Sequence, residues 1–235
     1  MDNNKLNELA YRIRDLLQKE GYDTRYSINN NGSILLYVHM TIEDSEDLKK
    51  ALNVFKILTK AYDKLKDIKL IHEHIYIKIQ GMYTDIEAKT SFVNGTLSID
   101  KFTVMEKQEW TDLAFWEYMA MHYKDYFTNS EWKRLEKFLE TNEKYFIDLY
   151  NKAYEKMRKI AEEYVKEGLI EGWDDLSDNW DTGIELVVWK STKNLDEVEE
   201  IVKDLEKYAY TLLEEFEEEL IRLLQETVRI KSKST

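Results

Sequence analysis

The sequence predicts an α+β fold: an antiparallel sheet with flanking helices, an internally duplicated helix-strand-helix unit and long C-terminal helices. Three observations carry this expectation. Residues 4–21, NKLNELAYRIRDLLQKEG, return as NKAYEKMRKIAEEYVKEG at 151–168, with Asn4, Lys5, Glu8, Ile13, Lys19, Glu20 and Gly21 repeated as Asn151, Lys152, Glu155, Ile160, Lys166, Glu167 and Gly168. Apolar residues alternate with polar ones in several short runs, the period of a strand with one buried face. Between those runs apolar stripes recur at helical spacing, uninterrupted by any proline in 235 residues.

Taken in order, the first helix spans about 4–20, with Leu6, Leu9, Ala10, Ile13, Leu16 and Leu17 on one face and Gly21 closing it. A hairpin follows: YDTRYSI, the turn NNNG at 29–32, then ILLYVHMTI with Ile34, Leu36, Val38 and Met40 on one side. Asp44 or Ser45 caps a helix to about 66 whose stripe includes Leu48, Leu52, Phe55, Leu58 and Tyr62. Strands are expected near 70–80, 83–93 and 96–104, the last two joined at Asn94-Gly95, a strong two-residue turn signal. From about 109 an aromatic helix carries Trp110, Phe115, Trp116, Tyr118, Met119, Tyr123, Tyr126 and Phe127 almost all round it, the pattern of a buried or interfacial helix. Thr128 and Glu131 form a capping box that opens a helix to about 167. After an acidic loop and a strand at 183–191, Asn194 caps a last helix to about 228. Each of the two long helices would extend roughly 50 Å.

The repeat continues at a new offset, with Ile34, Leu36, Val38 and Leu48 matched by Ile184, Leu186, Val188 and Val198. The first copy occupies 4–66 and the second 151–228, within a sheet-rich part, 1–128, and a helical part, 129–235. No linker rich in Gly or Ser separates them, so one interwoven body is expected.

The net charge of -13 disfavours nucleic acid over most of the surface. Absent cysteine excludes disulfides and thiolate chemistry and fits a reducing, cytoplasmic setting. No run of 18 apolar residues occurs, so no membrane span is expected.

Three histidines share one sheet face by parity: His39 with Tyr37 on one strand, His72 and His74 with Tyr76 and Lys78 on another. His39, His72 and His74 could hold a divalent metal if their strands were neighbours, and then serve a hydrolase or nuclease; no other cofactor is expected. The competing reading is a solvated face. Tyr37, Tyr76 and Lys78 could alternatively meet nucleic acid by stacking and phosphate contact, against the unfavourable net charge. Trp173, Asp174, Asp175, Asp178, Trp180 and Asp181 form the acidic tryptophan loop, whose spacing fails the EF-hand pattern but suits a protein contact. Glycine-rich phosphate loops and a recognisable nucleophile context are both missing. The reading reached is a non-enzymatic acidic protein acting through a protein partner or as a homo-oligomer.

Overall fold

A computed structural model of the chain describes residues 3–30, 32–70, 73–110, 115–177 and 183–233. It is α+β, about 55% helix and 26% strand, with seven strands in one mixed sheet among the described residues. In chain order the elements are α1 (Asn3–Lys19), β1 (Asp23–Ile28), β2 (Ile34–His39), α2 (Ser45–Thr59), α3 (Tyr62–Leu65), β3 (Glu73–Gln80), β4 (Thr84–Val93) and β5 (Thr96–Glu109). There follow α4 (Phe115–His122), α5 (Asn129–Thr141), α6 (Glu143–Glu167), β6 (Gly172–Asp175), β7 (Glu185–Thr192) and α7 (Val198–Lys233). The sheet order is β1-β2-β3-β4-β5-β7-β6. Two compact units divide the chain: residues 1–106 with 189–205, and residues 107–188 with 206–235.

The duplication is visible as α1-β1-β2-α2 and α6-β6-β7-α7, each a helix, a pair of strands and a helix. In both, the second strand of the pair takes the inner place in the sheet order. The matched glycines end their helices alike. Gly21 and Gly168 have φ of +92° and +73°, and the following N–H groups of Tyr22 and Leu169 both donate to the carbonyl five residues back, Leu17 and Tyr164, at 3.0 Å. That left-handed closure favours glycine, the one residue without a Cβ to clash there.

In the first unit the strand alternation sorts residues as the sequence predicts. Ile34, Leu36 and Val38 of β2, Ile75, Ile77 and Ile79 of β3, Ile86 and Ala88 of β4, and Phe102 and Val104 of β5 are all buried. The stripes of α1 and α2 are buried too, and Phe55 of α2 meets Phe102 edge-on at 5.0 Å. Asp44 starts α2 by accepting the N–H groups of Glu46 at 2.7 Å and Asp47 at 2.9 Å.

Several expectations are corrected. The sheet is mixed: β2 and β3 run parallel, because α2 and α3 carry the chain back to the starting end before β3 begins. The second helix ends at Thr59 and resumes at Tyr62, which turns Tyr62 outward while Ala61 and Leu65 stay buried. The helix expected from 128 to 167 divides at Asn142, where the side chains of Thr141 and Asn142 hydrogen-bond the carbonyls of Lys137 and Phe138 and compete with the helical ladder. Strand β5 runs on to Glu109, so Trp110 is not helical; its N–H donates to the carbonyl of Ile184 at 2.8 Å. Among the described residues no helix is long and apolar enough to cross a membrane.

Two glycines test backbone strain against packing. Both Gly168 and Gly95 have positive φ, but a Cβ on Gly168 meets nothing within 4 Å, whereas one on Gly95 lies 2.4 Å from the Lys66 Cα. Gly168→Ala should therefore cost about 1–2 kcal/mol in denaturant unfolding from φ alone. Gly95→Ala should cost clearly more, since backbone must move as well; equal losses would show that the Gly95 contact does not constrain the hairpin.

Candidate functional site

The face of β1 to β5 opposite the aliphatic rows is the surface that sequence parity assigns to Tyr37, His39, His74, Tyr76 and Lys78. Register arranges it in rows across the strands. One row runs Arg25, Tyr37, Lys78, Glu87 and Thr103; the next runs Ser27, Leu35, Tyr76, Lys89 and Lys101. Tyr37 and Tyr76 are therefore diagonal neighbours on adjacent strands, where long side chains are within reach of each other. Tyr76 is exposed and Tyr37 half-buried. With Asn29, Leu35, Lys78 and Glu87, Tyr76 lines an open depression of about 330 Å³.

Lys78 is held in place by carboxylates on the next strand, Glu87 at 3.0 Å and Asp85 at 3.4 Å. Partial burial acts to lower its pKa, but the two carboxylates outweigh that and keep the ammonium above the ordinary lysine range. Asp85 is itself buried and accepts the Gly81 N–H at 3.2 Å, so this charge group also anchors the turn between β3 and β4. Lys78 thus frames the tyrosine pair as a fixed cation, with no resemblance to a titrating catalytic amine.

His39 and His74 do not converge. His39 stands opposite Gln80 in the parallel β2–β3 pairing, and Ile34 stands opposite Ile75, so His74 lies six register positions from His39, about 20 Å along the strands. Parity put them on one face correctly; the parallel direction of β3 sends them to opposite ends. The expected three-histidine metal site is therefore not assembled by His39 and His74, and His72 lies outside the described residues. No group of three His, Asp or Glu side chains close enough to hold a metal occurs among the described residues.

The acidic tryptophan segment contains a strand where a loop was expected. Trp173, Asp174 and Asp175 belong to β6, which continues into a hydrogen bond from the Leu176 N–H to the Glu185 carbonyl at 2.8 Å. Trp173 is half-buried, 6.4 Å from the Tyr154 ring of α6. Asp178, Trp180 and Asp181 lie outside the described residues.

The second unit has an aromatic cluster of its own. Trp110 packs on Tyr118 at 4.7 Å and on Phe216 at 5.2 Å, and its indole N–H donates to the Tyr123 hydroxyl at 3.1 Å. Tyr118 donates to Glu217 Oε1 at 3.3 Å, and its ring stacks on His122 at 4.4 Å. Burial, and then the Glu217 carboxylate, push Tyr118 up to about 12 and raise Tyr123 further. Burial followed by Asp175 pushes Tyr154 up to about 12 and raises Tyr150 as well. The rings fill one another's space, which makes this cluster core.

Sequence reasoning missed the Lys89–Lys101 pair. A β-bulge between Lys89 and Thr90 leaves Asp100 as an extra residue on β5, and this sets Lys101 directly opposite Lys89. The available signal is a change of parity: Leu97 is buried at an odd position, Phe102 and Val104 at even ones.

Comparison with known protein families, curated proteins and solved structures finds no match for this chain.

An ultraviolet titration should find Tyr118, Tyr123, Tyr150 and Tyr154 ionising distinctly above the ordinary phenol range. Their folded pKa values lie above the unfolded value of about 10, so stability is intact below pH ~10 and falls as pH rises through about 12. A single transition shared by all sixteen tyrosines, with no loss of stability in that window, would contradict the buried network.

Proposed function

We propose that this chain is a non-enzymatic cytoplasmic protein that works through protein-protein contacts, and that the open sheet face centred on Tyr37 and Tyr76 is its docking surface. The observation that carries the reading is the contrast between the two sides of the same strands. One side is filled with aliphatic residues; the other presents two tyrosines and a half-buried leucine framed by Arg25 and Lys78. Tyrosine and arginine are over-represented among residues that dominate binding energy, because they offer large contact area with a polar end that stays satisfied at a wet rim. The distribution of charge favours a protein over a nucleic acid. Residues 1–106 carry 15 Lys+Arg against 16 Asp+Glu and residues 107–235 carry 19 against 31, so neither part has the net positive charge that draws a polyanion and the second repels one.

A photo-crosslinking amino acid at position 37 or 76, expressed in cells, should yield protein adducts well above those from position 62, a tyrosine of greater exposure that lies off this face. Tyr76→Ala should weaken the captured partner's binding by on the order of tenfold or more, with the fold unchanged. Equal adduct yields at all three positions, or adducts with nucleic acid alone, would overturn the reading.

A further inference from the structure

We propose that the groove between α1 and the outer edge of β1 takes an extended, acidic segment of a partner protein, which adds to the sheet as a further strand and sets a carboxylate on Arg14. The site lies on the side of β1 that α1 covers and does not rest on the reading of the Tyr37–Tyr76 face. Among the described residues β1 is the outermost strand and pairs with β2 alone. The Asn29 N–H donates to the Ser33 carbonyl at 2.9 Å, which fixes the phase of the β1–β2 ladder. Bonded pairs alternate in an antiparallel ladder, so Ser27 and Arg25 turn their main-chain groups toward β2, whereas Ile28, Tyr26 and Thr24 turn theirs outward. Gln18 of α1 agrees with that phase: its side-chain amide donates to the Thr24 carbonyl at 3.1 Å, across the open edge. Tyr26 and Ile28 have no such cover among the described residues, and β1 has no proline, lysine or bulge to blunt its edge. Two residues apart, they offer the spacing at which an added strand bonds.

Along this edge runs the flank of α1 that carries Tyr11, Arg14 and Gln18, spaced three and four residues apart. The Arg14 guanidinium lies 4.6 Å from the Tyr11 ring centre and 5.6 Å from that of Tyr26, within cation–π range of both. Its Nε is buried without a hydrogen bond, and no carboxylate pairs with it among the described residues. Its neighbours on the same helix differ. Arg12 bonds Glu8 at 2.7 Å and Asp67 at 2.8 Å, and Asp15 is taken by Lys19. Arg14 is thus a preordered cation without a counter-ion, held by two rings beside the two uncovered strand residues. A stacked guanidinium keeps its planar fork for a carboxylate and loses little further freedom on binding one. Charge decides the occupant. The one acid of β1, Asp23, has the parity opposite to Tyr26, so a second copy continuing the sheet would bring another Arg14 and no carboxylate. An acidic segment of a partner supplies the missing charge and the main-chain bonds together.

Short linear peptides displayed on phage and selected on the full chain supply the probe. The selected peptides should share an Asp or Glu within an extended run, and a synthetic one should protect the Tyr26 and Ile28 amides from hydrogen exchange. Arg14→Gln, and replacement of the peptide's acid by its amide, should each weaken binding by on the order of tenfold; the two together should cost hardly more than either alone. Ile28→Pro removes one outward N–H while sparing the bonds to β2, and should weaken binding comparably. Circular dichroism checks the fold of each variant, and the Arg14 cycle decides should Ile28→Pro not fold. No enrichment, enriched peptides without an acid, additive losses in the cycle, or amides left unprotected would overturn the inference. Self-association of the chain that the peptide displaces would make a second copy the occupant and overturn it too.

Discussion

One-sided burial of the sheet is the constraint on which the first unit depends. Successive side chains of a strand point to opposite faces, so a single register decides which set enters the core. Across the parallel β2–β3 seam, Ile34 meets Ile75, Leu36 meets Ile77 and Val38 meets Ile79, all fully or almost fully buried. Each such side chain is worth about 1.5–3 kcal/mol on burial, while an exposed ion pair such as Lys19–Asp15 is screened by solvent and contributes little. Aliphatic burial therefore fixes the register, and a slip by one residue would exchange Ile77 for Tyr76 or Lys78. The polar face follows as its consequence: what the core does not take is left in ordered rows toward solvent.

The bulge at Asp100 shows how local geometry alters that face without disturbing the core. The inserted residue changes the parity of β5, so Phe102 and Val104 continue the buried row after Leu97. The same change brings Lys101 opposite Lys89. Asp100 is not left idle, since it accepts the Ser91 hydroxyl at 2.5 Å. A small adjustment of backbone phase thus places Lys101 in the row that already holds Tyr76 and Lys89.

Much of the fold was legible because local signals agreed with it. The repeat at 4–21 and 151–168 located two equivalent helices, Asn94-Gly95 gave the hairpin, and Thr128 and Glu131 gave a helix start. Three features escaped for identifiable reasons. Gly172 to Asp175 lacks strand-favouring residues apart from Trp173 and forms a strand through its hydrogen-bonded place in the sheet. Glu106 occupies a core-facing position in β5, where it accepts the Thr84 hydroxyl at 2.7 Å, and a charged residue at an inward position hides the strand period. The separation of His39 from His74 depends on strand direction, which parity does not encode. Sequence named Tyr37, Tyr76 and Lys78 on one face, but the rows they belong to required the register.

The chain contains no cysteine, so single thiols report accessibility without background. Replacing Ala88, Lys89 and Thr90 of β4 one at a time with cysteine and measuring the rate of thiol alkylation in dilute native protein tests the central claim within three consecutive residues. Fast modification at 89, with 88 and 90 strongly protected, is the expected result. Equal rates at the three positions, or protection at 89, would contradict a sheet that buries one face and leaves the other exposed.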